Sequence, residues 1–429
     1  MNNLVKQKSR LEGDVKYCKH TDYLLPGDWF LCENHLYLTK ALSIGPAGVL
    51  LTKEIYDEYS NRINCSYVII EDPKSKWSEL ANQVFPKKPA WIAGVTGTNG
   101  KTSTAYLAHR WLNLLGARAG YIGTLGVIPD VGISIDLTTP DAAELHQILY
   151  KFYEEGITHA VLEISSIGLL DKRVNSIALN CAAFTSFSQD HLDIHKTMEN
   201  YWRSKLEITK LINHKGDFFI HTSLEDNIKK EDIQYRLFPT NKYTNPRFIE
   251  FMNDNLQAAG AICESAGFSE TELRKTAHLL ESVPGRMQIV SENPKVIIDY
   301  AHTPDALLKL LKQFNKEELI LIFGCGGDRD RSKRKVMGEI ANQYAKVVIV
   351  TDDNPRTEIP GAIREEIMLG CPDAVEIPSR YDAIKLGIES AKAGGLTCII
   401  AGKGHENTQT YGKISYHFSD LEVSRAFIF

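Results

Sequence analysis

The chain has 429 residues, and at roughly 100–200 residues per domain this length predicts two to four domains. With 43% apolar and 24% charged residues, the composition is that of a globular protein and excludes a disordered or fibrous chain. The net charge of −5 excludes a general nucleic-acid binder, so we expect no nucleic-acid partner.

Cysteine spacing and hydropathy bear on the cellular compartment. The eight cysteines form no C-x-x-C pair, which argues against a zinc knuckle or a redox motif and favours reduced thiols. The N-terminus lacks the apolar core of a signal peptide, and no apolar run approaches the ~20 residues that span a bilayer. We expect a cytoplasmic protein without membrane insertion.

Short apolar runs alternate with amphipathic stretches along most of the chain, which is typical of βαβ units and predicts an α/β fold with parallel sheets. Pro and Gly interrupt this alternation at residues 86–89 and 284–285. We therefore predict three domains, at residues 1–88, 89–283 and 284–429.

The first domain contains predicted strands at residues 24–31 and 47–51, and the second begins with one at residues 90–95. The third of these strands leads through a glycine-rich turn into a predicted helix at residues 102–115, which Gly116 ends. The residues predicted to share one apolar face of this helix are Tyr106, Leu107, Trp111, Leu114 and Leu115.

The third domain has four predicted strands, each followed by a loop and a helical stretch, which predicts a second doubly wound sheet. The strands lie at residues 295–299, 319–323, 347–351 and 397–401.

The glycine-rich turn, within the segment WIAGVTGTNGKTS at residues 91–103, is the clearest local signal in the sequence. Such glycines let backbone N–H groups converge on phosphate, and the following helix N-terminus adds partial positive charge. Lys101 can reach the terminal phosphates of a nucleoside triphosphate, and Thr102 can bind Mg²⁺. Val95 stands where the strict pattern has glycine, and a tight turn with a surface lysine is the alternative.

Two further groups of polar residues follow in the second domain. Glu163 ends a predicted strand near the glycine turn, where a carboxylate would hold Mg²⁺. The segment DHLDIH at residues 190–195 brings two carboxylates and two imidazoles together ahead of Lys205, and it predicts a divalent-cation site. For His191 the alternative is a buried histidine with a satisfied hydrogen bond.

Polar loops follow all four strands of the third domain, so they should line one edge of its sheet. They offer arginines, carboxylates and backbone amides, which suit a zwitterionic ligand. Solvated surface turns are the alternative for any single loop. The loops lie at residues 299–305, 324–331, 352–356 and 402–406.

Together these motifs resemble those of the Mur ligases over roughly residues 90–420. The resemblance implies an α/β fold with three-domain Mur ligase architecture: an N-terminal domain for the UDP end of the substrate, a central P-loop ATPase domain and a C-terminal Rossmann-like domain that brings the amino acid. The matching segments are GTNGKT at 97–102, TTP at 138–140, EISS at 163–166, DHLD at 190–193, PGRM at 284–287, DYAHTPD at 299–305 and DNPR at 353–356.

The resemblance also implies ATP and Mg²⁺ as cofactors and a role for individual residues. The implied catalytic residues are Lys101, His191 and Lys205, with Lys205 carbamylated. The implied metal ligands are Thr102, Glu163, His191 and Lys205. The implied nucleotide contacts are Gly97, Thr98, Asn99, Gly100, Lys101, Thr102, Ser103, Asn255, Arg286 and Asp299. The implied contacts to the muramoyl-peptide are Thr138, Thr139, Ser165 and Arg173, and those to the amino acid are Arg329, Asp353, Asn354, Pro355, Arg356, Gly402 and Glu406.

The most similar branch of the family adds the third residue of the peptidoglycan stem peptide. It implies a monomer that ligates an amino acid to UDP-N-acetylmuramoyl-L-alanyl-D-glutamate through an acyl phosphate. Arg356 implies meso-diaminopimelate, whose extra carboxylate a guanidinium can pair, unless Arg356 pairs with Asp352 or Glu358 on the surface. Ligation of L-lysine, a folyl-polyglutamate synthetase-like ligase and a nucleotide-dependent switch or transport ATPase are the alternatives.

The sequence departs from the family pattern at several places. The segment HTD at residues 20–22 stands where the family has Asp-Ser-Arg, which leaves the uridine contacts of the first domain unassigned. Ile167 replaces a common histidine, Asp171 a frequent glutamine and Met252 a frequent asparagine. None of these changes touches the predicted phosphate or metal residues.

Overall fold

The structure, a computed structural model, describes residues 9–248 and 250–428. The chain divides into two compact units. The first comprises the residues up to Phe187 together with Thr197–Thr244 and Asp254–His278, and the second comprises Ser188–Lys196, Asn245–Asn253 and the residues from Leu279 onward. Each of the three larger sheets lies within one of the three predicted domains, whose bounds stay a prediction.

The first sheet has five strands in sequence order, antiparallel between the first two and parallel thereafter. Its strands are β1 (Arg10–Glu12), β2 (Lys16–Cys18), β3 (Trp29–Leu31), β4 (Gly48–Leu51) and β5 (Ser66–Ile69). The accompanying helices are α1 (Leu38–Ile44), α2 (Lys53–Tyr59) and α3 (Pro73–Val84).

The strand predicted at residues 47–51 is confirmed by β4, whereas the one predicted at 24–31 is too long. Within that range only residues 29–31 form a strand, β3, because Pro26 and Gly27 lie in a turn that precedes it. Gly27 has a φ of 86°, and the backbone N–H of Asp28 donates to the Leu25 carbonyl at 3.1 Å.

The second sheet has seven strands in the spatial order β12-β11-β10-β6-β9-β7-β8, parallel except for β8. Its strands are β6 (Trp91–Thr96), β7 (Ala119–Gly123), β8 (Gly126–Ile128), β9 (His159–Glu163), β10 (Leu179–Phe184), β11 (Ile212–Ile220) and β12 (Arg236–Leu237). The helices of this region are α4 (Lys101–Leu114), α5 (Ala142–Glu154), α6 (Ser166–Leu170), α7 (Leu192–His195), α8 (Met198–Leu206), α9 (Glu225–Ile228), α10 (Glu250–Ser265) and α11 (Glu270–Thr276).

Strand β6 and helix α4 confirm the predicted strand, glycine turn and helix to within one residue at each end. The helix ends as predicted, since Gly116 has a φ of 87°. The predicted apolar face is wrong for Leu114, which is 43% exposed. The buried stripe is centred on Ala108 and Leu112, and Leu114 lies about 200° around the helix from Leu112.

The first two sheets are joined by a shared core and by ion pairs. Trp77 of α3 packs in one apolar cluster with Ala142 and Ala143 of α5. Asp141, the N-cap of α5, accepts hydrogen bonds from Trp77 Nε1 at 2.8 Å and from Lys19 Nζ at 2.6 Å. The segment that follows Thr138-Thr139-Pro140 is therefore held against the first sheet.

The third sheet, in the second unit, has the spatial order β13-β14-β18-β15-β16-β17, and only β13 is antiparallel to its neighbour. Its strands are β13 (Gln288–Glu292), β14 (Lys295–Asp299), β15 (Leu319–Phe323), β16 (Val347–Val350), β17 (Val375–Glu376) and β18 (Thr397–Ala401), and β19 (Thr408–Tyr411) pairs with β20 (Ile414–His417) as a hairpin. The helices are α12 (Pro304–Leu311), α13 (Ser332–Tyr344), α14 (Pro360–Met368), α15 (Arg380–Gly394) and α16 (Asp420–Ile428).

All four strands predicted for the third domain are confirmed, one of them ending a residue early. The helical stretch expected after β18 is α16, but it follows only after the β19–β20 hairpin, which was not predicted and whose tight turn contains Gly412 with a φ of 59°. Within the described part of the chain, no helix is both long and apolar enough to cross a membrane.

Candidate functional site

Two glycines shape the loop between β6 and α4. Gly97 has a φ of 149° and Gly100 a φ of 85°, which favour glycine. A Cβ at Gly97 would collide with Thr185 Oγ1, and one at Gly100 would lie 2.5 Å from Asn255 Oδ1. The loop therefore packs tightly enough to direct its backbone N–H groups and the N-terminus of α4 toward a phosphate.

The end of β10 holds this loop in place. The backbone N–H of Thr98 donates to the Ser186 carbonyl at 2.8 Å, and that of Asn99 donates to Ser186 Oγ at 2.9 Å. Ser103, in the first turn of α4, is buried. Sequence analysis missed Thr185 and Ser186, although both directly follow a buried strand next to β6, which was a usable signal.

Two lysines converge on one backbone carbonyl of the loop. Lys101 Nζ donates to Gly97 O at 2.8 Å and to Thr98 O at 3.0 Å, and Lys205 Nζ donates to Gly97 O at 2.8 Å. Lys205 is only 1% exposed, and its Nζ lies 4.6 Å from the centre of the Tyr201 ring. While both amines are unmodified, an anion in the loop would meet two positive charges.

Glu163 is a buried carboxylate aimed at the start of α4. Its Oε2 accepts from Thr102 Oγ1 at 2.8 Å and from Thr124 Oγ1 at 3.1 Å. Its Oε1 accepts from the Thr124 N–H at 2.9 Å and from the Tyr121 hydroxyl. The hydroxyl of Thr102 and the carboxylate of Glu163 are the hard oxygen donors that Mg²⁺ prefers. Thr124 and Tyr121 were missed, because a single hydroxyl in or after a strand gives no distinctive pattern.

The predicted cation site at residues 190–195 is not formed by those residues alone. Across residues 9–248 and 250–428, no three His, Cys, Asp or Glu side chains are grouped closely enough to hold a metal ion. The short helix α7 separates the two imidazoles, since His195 is buried and His191 is exposed. His191 Nε2 lies 3.6 Å from Asp190 Oδ2.

The residues predicted to contact the muramoyl-peptide cluster around the backbone of Glu163. Thr139 Oγ1 hydrogen-bonds to the Glu163 carbonyl at 3.0 Å and to the Ser165 N–H at 2.9 Å. Arg173 Nη1 donates to the Thr139 carbonyl at 3.0 Å. Thr138 Oγ1 lies 3.2 Å from Thr124 Oγ1. The four predicted residues are thus brought together.

Asp171 secures this cluster from one side. It accepts from Arg173 Nη2 at 2.7 Å and from Lys74 Nζ, on α3, also at 2.7 Å. Burial alone would raise the pKa of Asp171, but the two cations lower it overall. The residue that departs from the family pattern therefore links Arg173 to the first sheet region.

In the second unit, the four polar loops follow β14, β18, β15 and β16, which are adjacent parallel strands, so they line one edge of the sheet as predicted. Asp299 accepts from the backbone N–H of Met287 at 2.7 Å and of Ala301 at 2.8 Å. Burial raises the pKa of Asp299, although Arg286 opposes the rise. The Arg286 guanidinium lies 4.1 Å from the centre of the Tyr300 ring.

The loops after β16 and β18 contact each other, and each of them contributes a carboxylate, Asp353 from the first and Glu406 from the second. A Cβ at Gly402, whose φ is 112°, would lie 2.8 Å from Asp353 Oδ2. Asn354 Nδ2 donates to Glu406 Oε2 at 2.8 Å. Pro355, the residue after Asn354, is buried. Carboxylates held in this way suit an ammonium group.

Arg356 has a φ of 52°, and its Nη1 donates to the Gly327 carbonyl at 2.6 Å. The surface pairing with Asp352 or Glu358 is not found. Asp352 pairs with Arg364 and accepts from the Tyr411 hydroxyl at 2.9 Å, while Glu358 pairs with Arg334 at 2.8 Å. Arg329 is exposed on the loop after β15.

Lys403 is a further residue that sequence analysis missed. It is fully buried between Gly402 and Glu406, and its Nζ lies 3.1 Å from Glu406 Oε2. Lysine side chains are exposed in most proteins, so nothing in the sequence indicates that this one is buried.

Two family models match the chain. The Mur ligase middle domain matches residues 95–269, and the Mur ligase, glutamate ligase domain matches residues 285–404. The first match contains the glycine loop and Glu163, and the second contains three of the polar loops and the start of the fourth.

Curated relatives and solved structures match most of the chain. A UDP-N-acetylmuramoyl-L-alanyl-D-glutamate--2,6-diaminopimelate ligase from Rickettsia bellii is 37% identical and covers 90% of each chain. A relative of the same name from Rhizobium meliloti is 33% identical, over 94% of this chain and 91% of its own. A solved structure with that enzyme name has a TM-score of 0.63, 29% identity, and covers 96% of this chain and 94% of its own.

A second solved structure shows how widely this fold is shared. The folylpolyglutamate synthase of Mycobacterium tuberculosis, complexed with ADP and AMPPCP, has a TM-score of 0.63 and 18% identity. It covers 82% of this chain and 94% of its own. At that identity the likeness extends to the fold alone.

Proposed function

Because the chain belongs to the Mur ligase family, we propose that it is an ATP-dependent ligase that joins meso-diaminopimelate to UDP-N-acetylmuramoyl-L-alanyl-D-glutamate in peptidoglycan synthesis. Relatives that match most of its length carry the name of this reaction. The observation that carries the proposal is the meeting of Lys101, Thr102 and Glu163 at the glycine loop. We place the reaction in the cytoplasm and propose a monomer.

The glycine loop would hold the phosphates of ATP through its backbone N–H groups. Lys101 would then bring positive charge to the phosphoryl group that is transferred, which lowers the barrier by stabilising its developing charge. Thr102 and Glu163 would hold Mg²⁺, which when bound neutralises phosphate charge. On the family resemblance, His191 and a carbamylated Lys205 are proposed as further ligands.

The reaction has two steps. The terminal carboxylate of the substrate attacks the γ-phosphorus of ATP, forming an acyl phosphate and ADP. The amine of the amino acid then attacks the acyl carbon, and phosphate leaves as the amide forms. Thr138, Thr139, Ser165 and Arg173 would hold the muramoyl-peptide, so that its carboxylate is in line with the phosphate.

The loops of the second unit would select the amino acid. Arg356, with Asn354, would pair the distal carboxylate of meso-diaminopimelate, and Arg329 the carboxylate next to the reacting amine. Gly402 and Glu406 would take the distal ammonium, beside Asp353. L-lysine lacks the distal carboxylate and would leave the Arg356 charge without its partner.

An ADP-release assay combined with mass spectrometry tests this proposal. The chain is incubated with Mg²⁺-ATP and the UDP-muramoyl-dipeptide, with meso-diaminopimelate, L-lysine or no amino acid. We expect ADP release only with an amino acid present, and a product with the mass of the diaminopimelate adduct. ADP release without amino acid would indicate a switch or transport ATPase instead. Glutamate addition to a folate in a parallel reaction would indicate a folyl-polyglutamate synthetase.

A further inference from the structure

Lys403 is a lysine whose side chain is completely withdrawn from solvent, with 0% exposure. Burying an ammonium group is costly unless its N–H bonds are paired. Its three N–H bonds have three acceptors: Thr408 O at 2.6 Å, Glu406 Oε2 at 3.1 Å and Asn354 Oδ1 at 3.3 Å. The ammonium therefore ties the loop after β18 to the loop after β16.

These bonds fix the orientation of Asn354. Its Oδ1 accepts from Lys403 Nζ and from the backbone N–H of Thr410, the latter at 3.0 Å. The amide nitrogen must then point the other way, where Nδ2 donates to Glu406 Oε2 at 2.8 Å. A flipped amide would set its NH₂ group against two donors.

The same bonds make the two carboxylate oxygens of Glu406 different from each other. Oε2 accepts from both Lys403 and Asn354, whereas Oε1 has no hydrogen-bond partner among the residues that the structure describes. The side chain is 29% exposed, so Oε1 is available to a ligand. The hydrogen bonds from Lys403 and Asn354 thus hold Oε2 in place, and Oε1 can accept a hydrogen bond from a ligand.

A second buried cation nearby does not make these bonds. Arg380 is also withdrawn from solvent, but its Nε and Nη2 pair with Asp420, each at 2.7 Å, and Nη2 donates to the Ala401 carbonyl at 3.0 Å. Its guanidinium is thus paired with Asp420 and with the last residue of β18. The direct hold on Asn354 and Glu406 comes from Lys403.

We propose that Lys403 is a positioning residue that sets Asn354 and Glu406 for recognition of the distal ammonium and carboxylate of the incoming amino acid. This inference rests on the proposed function, because the ligand is the amino acid assigned there. Lys403 is buried below the site and acts through its two neighbours. Its loss should weaken binding of the amino acid while leaving the ATP end of the reaction unchanged.

The test compares steady-state kinetics of the full chain in wild type, Lys403→Met and Lys403→Gln, with each of the three substrates varied in turn. We expect the methionine variant to raise KM for meso-diaminopimelate at least tenfold, with KM for ATP within twofold of wild type. The glutamine variant keeps an amide donor and should recover part of the loss. Lys413→Met, at the exposed turn of the β19–β20 hairpin, is the matched control and should behave as wild type.

A double variant tests whether Lys403 acts through Glu406. If it does, Lys403→Met combined with Glu406→Gln should lose no more than the worse single variant. An unchanged KM for meso-diaminopimelate, losses that multiply in the double variant, or equal shifts in all three KM values would overturn the proposal. Failure of both Lys403 variants to fold would also overturn it, by giving the lysine a purely structural role. Absence of ligation in the wild type would instead refute the proposed function.

Discussion

Lys205 is a basic side chain enclosed by protein, only 1% exposed, with its amine 2.8 Å from the Gly97 carbonyl. We propose that its amine adds to CO₂ and loses a proton, which gives a carbamate with carboxylate-like oxygens. Lys205→Ala should then lower kcat by roughly 10²–10³-fold, as expected when one group that stabilises the transition state is lost. Added short carboxylic acids should restore part of the rate.

The measurement is kcat for the alanine variant with and without acetate, beside Lys210→Ala as control. Lys210 is a 70% exposed lysine five residues further on, paired with Glu207 at the surface. Full wild-type activity in CO₂-free buffer would show that no carbamate is needed.

Arg356 should decide between meso-diaminopimelate and L-lysine. When L-lysine occupies the site, the Arg356 guanidinium lacks the carboxylate that would pair with it, and such a loss costs on the order of 2–5 kcal/mol of binding free energy. Wild type should therefore prefer meso-diaminopimelate at least ~30-fold in kcat/KM. Arg356→Lys should remove most of this preference, because an ammonium cannot make the two-point bond of a guanidinium. Arg331→Lys, an exposed arginine paired with Glu366, is the control. Equal kcat/KM for the two amino acids in wild type would contradict the assignment.

Individual site residues differ in how well the sequence predicted them. Lys101 and Arg356 could be predicted because each lies in a short motif, and these motifs follow one another along the chain in the order seen in the family. Tyr121, Thr124 and Lys403 act through contacts with residues far apart or in separate loops, such as Tyr121 with Glu163, 42 positions away. A hydroxyl or a lysine of this kind looks like any surface residue until the fold brings its partner near.

The glycine loop as a structural element yields a prediction with a close control. Gly100→Ala forces an L-residue to a φ of 85° and places its Cβ 2.5 Å from Asn255 Oδ1. Gly116→Ala, at the other end of α4, imposes a φ of 87° with no atom within 4 Å of the Cβ. Both variants should lose about 1–2 kcal/mol of stability from the backbone alone. Only Gly100→Ala should also weaken ATP binding, by about tenfold or more.

Thermal unfolding and ATP titration of the two variants separate these effects. Equal ATP affinities would mean that the packing of Gly100 against Asn255 is not needed for nucleotide binding.

Strands and helices were predicted best where the pattern was simplest. The parallel strands of the third sheet are buried on both faces and appear as continuous apolar runs, so β14, β15 and β18 were predicted to the residue. The strand at residues 24–31 was predicted too long, since the turn at Gly27 depends on backbone closure that apolar content does not reveal. The β19–β20 hairpin was missed although Gly412-Lys413 lies between two short polar strands.

The chain forms two compact units, whereas the sequence suggests three domains that follow one another. The first two sheets share one compact unit, because Trp77 packs with Ala142 and Ala143 and hydrogen-bonds to Asp141. Trp77 and Asp141 are 64 positions apart, and neither lies in a motif. A boundary predicted from Pro and Gly marks an interruption of local structure, and it carries no information on packing across it.

Two buried histidines of the first unit should make the stability of the molecule depend on pH. Burial, with Lys88 nearby, lowers the pKa of His146 from 6.5 to about 3, and burial, with Arg110 nearby, lowers that of His109 to about 4. Neither ring nitrogen of His146 has a hydrogen-bond partner among the described residues. Both rings are therefore neutral in the folded chain at pH values where they are charged in the unfolded chain.

The sign follows from proton counting. Below pH 6.5 the unfolded chain binds protons at both histidines, while the folded chain does not until about pH 4 for His109 and about pH 3 for His146. The stabilisation is full above pH 6.5 and falls as the pH drops, by up to about 1.4 kcal/mol per pH unit for each histidine.

Urea unfolding between about pH 7.5 and pH 5 measures how steeply the free energy of unfolding depends on pH. His146→Leu should reduce the change in unfolding free energy per pH unit by the contribution of one histidine. The control variant His417→Leu, at an exposed histidine, should leave that change as it is in wild type. A slope in His146→Leu equal to that of wild type would show that His146 is not the group that resists protonation.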